Sequence, residues 1–93
     1  MMKQETAEMI AVKALGWLAA DEELLGTFLG ATGASVDDLA TNAQQPEFLG
    51  SILDFLLMDD AWVMGFCEAE NLAYEVPMHA RAALPGGAQI HWT

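Results

Sequence analysis

The feature that most limits what this chain can become is a piece of helix punctuation that occurs twice. "DEELLGTFLGATG" opens at Asp21 and closes at Gly33, and "DDAWVMGFCEAEN" opens at Asp59 and closes at Asn71. Each begins with an acid that can accept hydrogen bonds from the free amides of a first helical turn. Each ends on a residue that tolerates left-handed backbone. Between them stand large apolar residues at helical spacing: Leu24, Leu25, Phe28 and Leu29 in the first, Trp62, Val63, Phe66 and Cys67 in the second. A chain punctuated this way folds as short helices with tight joints.

The correspondence runs further. At an offset of 38 residues Leu15 falls on Leu53, Trp17 on Phe55, Leu18 on Leu56, Leu24 on Trp62 and Phe28 on Phe66. Ser35 with Asp38 reads as a capping box, Pro46 as the first residue of a helix, and Pro77 as the first turn of the last one. The spacing predicts helices over 6–20, 22–32, 36–43, 46–58, 60–70 and about 75–84. The expected fold is all-α: a compact bundle of five or six short helices, arranged as two related three-helix units in a single domain over 1–93. The helix over 46–58 carries the widest apolar stripe (Phe48, Leu49, Ile52, Leu53, Phe55, Leu56, Leu57) and suits a centre buried on more than one side.

After "LPGG" the chain continues "AQIHWT". An extended tail over 85–93 would put Ile90 and Trp92 on one side and His91 on the other. The expectation is that Ile90 and Trp92 dock on the core, as the cover a stack of repeated units needs; docking into a partner and metal binding are the alternatives for the tail.

Charge excludes some functions. The net charge is −11, with three Lys and Arg in total. Binding phosphate needs cations, so direct nucleic-acid binding and adhesion to an anionic membrane are not expected. The longest apolar stretch, 48–58, contains Asp54 and falls well short of the roughly 20 residues a bilayer span needs. The opening "MMKQETAEMIAVKALGW" is broken by Glu8 and Lys13 and does not read as a signal peptide. One cysteine forbids an intramolecular disulfide and fits a reducing cytoplasm. Nine of the fourteen acids (Asp21, Glu22, Glu23, Asp37, Asp38, Glu47, Asp59, Asp60 and Glu75) fall at expected caps or first turns, where a helix dipole favours them. The shortage of lysine has no such structural reason.

Chemistry-bearing residues are few. Asp21, Glu22 and Glu23 with Asp59 and Asp60 could gather round a divalent cation, but adjacent acids at a cap point apart and lack the alternating oxygens of a calcium loop. Cys67, His79 and His91 are the soft ligands, at intervals that match no zinc pattern. Cys67 aligns with apolar Leu29 and reads as a buried thiol. No serine sits in a nucleophile elbow, and enzymatic activity is not expected. The six methionines read first as filler for a small core, and second as an adaptable binding surface.

Four stretches, "WLAADEELLGTFLGATG", "FLGSILDFLLMDD", "FCEAENL" and "ALPGG" with the following "HWT", resemble a family of small bacterial proteins, found mainly in alphaproteobacteria and catalogued as domain of unknown function 3572. Trp62 and Met64 stand where smaller aliphatics are expected. The resemblance implies a soluble intracellular protein and brings no activity, cofactor or site residue.

The expected function is a non-enzymatic interaction module. Its partner would be a protein, basic in character, or a second copy of the chain. The candidate surface is Trp62, Met64, His91 and Trp92. The alternative is a small-ligand or metal-binding protein with a pocket between the two units, near Cys67 and His79. No cofactor is expected.

Overall fold

Why the chain breaks into helices where it does is visible at each joint. The computed structural model describes residues 2–85. Among them are six helices: α1 Gln4–Ala19, α2 Glu22–Thr32, α3 Val36–Asn42, α4 Pro46–Leu56, α5 Asp60–Glu70 and α6 Val76–Ala82. Asp21 Oδ1 accepts from the Glu23 and Leu24 amides at 3.0 and 3.1 Å and starts α2. Asp59 Oδ1 accepts from Ala61 N at 2.8 Å and starts α5. The two helices stop alike: Gly33 has φ 75° and Asn71 φ 57°, both left-handed. At Asn71 the carbonyl of Cys67 also takes the Leu72 amide at 2.8 Å, which satisfies one of the orphan acceptors of the last turn. The Ser35–Asp38 capping box is complete in both directions, and Pro46 and Pro77 sit in the first turns of α4 and α6.

Glu75 departs from expectation. It occupies the position before α6, but its backbone is right-handed and its side chain caps nothing. A cap needs extended backbone to aim its oxygen at the amides of the turn, and the turn leading into Val76 does not supply it. Conversely, Glu5 belongs to the first turn of α1, because that helix begins at Gln4.

α4 is the centre. Leu49, Gly50, Ile52, Leu53, Phe55 and Leu56 are all buried, on more than one side of the helix as its wide stripe requires. Its backbone runs close to α1 and α6, and α1 also runs close to α2 and α6. Close approach needs small residues at the contact. α1 provides Ala7, Ala11 and Ala14, and α6 provides Ala80, all fully buried. Gly50 does the same for α6: a β-carbon there would stand 3.0 Å from Arg81 Nη1. The guanidinium therefore lies against the bare backbone of α4, pairs with Asp54, and donates to the Pro85 carbonyl at 3.1 Å.

α5 attaches by large side chains instead. Phe66 meets Trp17 edge-on at 6.1 Å, and Trp62 stacks on Phe55 at 4.7 Å with 23° between the rings. Phe28 from α2 meets Phe48 and Phe55 edge-on at 6.2 and 5.2 Å. An aromatic chain thus joins α2, α4 and α5. The radius of gyration, 12.3 Å, is that of a compact chain of about this length.

Candidate functional site

The residue that stood out in sequence, Trp62, lies in the first turn of α5 and is half-buried. One ring face is taken by Phe55. The structure brings a second indole to the same place. Trp17, in the last turn of α1, reaches across to α5 because Gly65 has no side chain; a β-carbon there would meet Trp17 Cζ2 at 3.0 Å. Trp17 and Trp62 line one groove of about 310 Å³, together with Asp21, Glu23, Leu24 and Thr27 of the α1–α2 elbow. Its walls are therefore divided between the apolar surface of the two indoles and Leu24 and the polar surface of Asp21, Glu23 and Thr27, with no lysine or arginine among its lining residues.

Met64 does not join it. Two residues on from Trp62, it points about 200° round the helix and does not line the groove. His91 and Trp92, with Ile90 and the expected tail over 85–93, lie outside the described residues beyond Pro85.

The first reading of the methionines, as core filler, holds for Met2, which packs against the core, and is overturned for four others. Met9, Met58, Met64 and Met78 are 62, 75, 44 and 55% exposed, and Met2 is half-buried. The core is instead filled by leucine, isoleucine, phenylalanine and small alanines. Close helix packing leaves little room for a flexible four-atom chain, and Met58 falls past the end of α4, after its C-cap Leu57. Met9 and Val12 face a second, wider groove of about 650 Å³ between α1 and the start of α4, closed by Leu49.

The other chemistry-bearing residues are separated. Cys67 is a free, fully buried thiol that donates to the Ala73 carbonyl at 3.5 Å. Burial pushes its pKa above the ordinary thiol value, and the negative charge of Glu75 adds to the rise, so the reactive thiolate is disfavoured. His79 lines a different surface groove, with Met2, Ala82 and Ala83. The pocket expected near Cys67 and His79 together is thus divided between two places. Among the described residues no three His, Cys, Asp or Glu side chains converge as metal ligands. Ser51, Thr27, Thr32 and Thr41 donate their hydroxyls to carbonyls of their own helices, and Ser35 is taken up as a cap.

A family model described as "Protein of unknown function (DUF3572)" matches residues 4–87. The chain belongs to this family. The match spans every helix described above, so the whole bundle is the family's domain, and its description carries no activity. No curated protein and no solved structure matches the chain.

What the family member offers a ligand is set by its charge accounts. Eight acids (Asp21, Glu22, Glu23, Asp37, Asp38, Glu47, Asp59 and Asp60) serve caps or first turns as expected. Of the rest, Asp54 pairs with Arg81 and Glu70 with Lys13. Glu8 accepts from Gln4, and Glu68 accepts from the Tyr74 phenol at 2.8 Å. That bond, with the carboxylate charge behind it, raises the Tyr74 pKa. Two of the three cations of the chain are thereby used internally, and the helix-capping carboxylates face outward without one. No helix among the described residues is long and apolar enough to cross a membrane.

Proposed function

We propose that this protein is a non-enzymatic interaction module whose partner is another protein, basic in character. One observation carries the proposal: four of the chain's methionines lie on its outside. Met9 stands exposed on α1, Met58 in the α4–α5 joint, Met64 on α5 and Met78 on α6. Unbranched, polarisable side chains adapt to a partner surface, and nothing in the packing of this core requires them outside.

The carboxylates fix the sign of the partner. A second copy would bring the same net charge of −11, and like fields repel. A basic protein is therefore favoured over a homodimer. The finer features of the chain fit the same proposal. Two related three-helix units would meet at the Trp17–Trp62 groove, where Trp17 and Leu24 of one correspond to Phe55 and Trp62 of the other. The units do not pack alike, since α1 runs close to α2 while α4 runs close to α1 and α6. A free buried cysteine suits a reducing cytoplasm, the compartment proposed here.

The test is capture from native extract on the immobilised chain, beside a variant with Met9, Met58, Met64 and Met78 replaced by Gln. Proteins held by the native chain should be lost from the variant, while its helical circular dichroism and melting temperature stay close to native. Equal retention by both would remove the basis of the proposal.

A further inference from the structure

We infer that the Trp17–Trp62 groove receives a cationic side chain, an arginine or lysine on an exposed segment of the protein partner. The inference names the recognition chemistry for the interaction module proposed above and rests on that reading.

Electrostatics choose among ligands. A helix start ordinarily draws anions through its free amides. Here the Asp21 carboxylate already occupies the Glu23 and Leu24 amides. With Glu23 beside it, the surplus at the groove is negative. Indole faces attract cations as well, more strongly than the other aromatic rings do. The described cations are placed elsewhere: Lys13 pairs with Glu70, Arg81 with Asp54, and Lys3 precedes α1. Leu24 and the indoles give the aliphatic stem of an arginine or lysine an apolar bed, so head and stem are both accommodated. A bare metal ion would find two carboxylates, one of them engaged as a helix cap, and too few converging oxygens. A phosphate or nucleic acid would meet like charge.

The experiment is a titration of the full chain with a short end-blocked peptide carrying one arginine, and with the same peptide carrying citrulline. Citrulline keeps the shape and removes the charge. Indole fluorescence and the indole N–H resonances are the readouts. The arginine peptide should move both Trp17 and Trp62 signals saturably, and the citrulline peptide should bind about tenfold more weakly or worse. Glu23→Gln and, separately, Trp62→Phe should each weaken arginine binding several-fold while circular dichroism shows the fold retained. Equal binding of the two peptides overturns the inference, as does saturable binding that leaves both indoles unmoved. Neither result touches the methionine-dependent capture of partners, so failure of the groove and failure of the module are read separately.

Discussion

Replacing Phe28 with alanine should cost about 3–5 kcal/mol, among the largest losses expected of a single truncation in this bundle. Phe28 is fully buried. It is the only ring α2 contributes to the aromatic chain, meeting Phe48 and Phe55 of α4 from one side. Alanine would leave a void that α4, held from its other sides by α1 and α6, cannot move to fill. Small domains hold about 5–15 kcal/mol in all, so roughly a fifth or more of the stability is at stake. At roughly 4–8 °C per kcal/mol the melting temperature should fall by more than about 12 °C. The neighbouring Thr27→Ala is the control. Thr27 is exposed and its hydroxyl only bonds back to the Glu23 carbonyl, so its change should stay within about 0.5 kcal/mol. Urea unfolding of the two variants checks both figures.

Trp17→Ala should cost about 3 kcal/mol, at the low end for an aromatic because the indole is half-exposed. Its partner across the joint makes the sharper test. Gly65→Ala ought to stabilise α5 by about 1 kcal/mol on helix propensity alone. In the native chain the new β-carbon would press on Trp17 Cζ2 at 3.0 Å, and the gain should vanish or reverse. With Trp17 already truncated, the gain should reappear. A double-mutant cycle should therefore show coupling of about 1–2 kcal/mol. Gly26→Ala and Gly30→Ala, where a β-carbon meets nothing within 4 Å, should show the gain in either background. Additivity of the Trp17 and Gly65 changes would mean that the indole does not lie on α5.

Those glycines also show where reading the sequence stops. Gly26, Gly30 and Gly65 look alike along the chain, each a costly residue inside a helix. Only packing separates the one that makes room for an indole from the two that make room for nothing. Caps and terminators behave differently, because their physics is contained in four or five consecutive residues. Asp21, Asp59, Gly33 and Asn71 were legible for that reason, and with them the helix boundaries to within a residue or two. α4 was legible as the centre from its wide stripe. Glu75 was misleading because composition does not reveal backbone conformation. The candidate site was half legible. Trp62 is conspicuous opposite Leu24 at the 38-residue offset, but Trp17 matches Phe55 and reads as core. Its convergence with Trp62 arises from the contact of Trp17 with Gly65 and Phe66 of α5, which no local pattern encodes. The methionines mislead for a related reason: apolar character places a residue in a core only if a neighbouring helix is there to receive it.

Solvent access to the methionine sulfurs decides most directly whether this surface exists. Limited oxidation of the folded chain with peroxide, read by peptide mass spectrometry, ranks the methionines by access to solvent. Met9, Met58, Met64 and Met78 should convert to sulfoxide readily while circular dichroism still reports the native helix content. Protection of these four until the chain unfolds would put them in the core, and would take away the exposed apolar surface on which the proposed interaction depends.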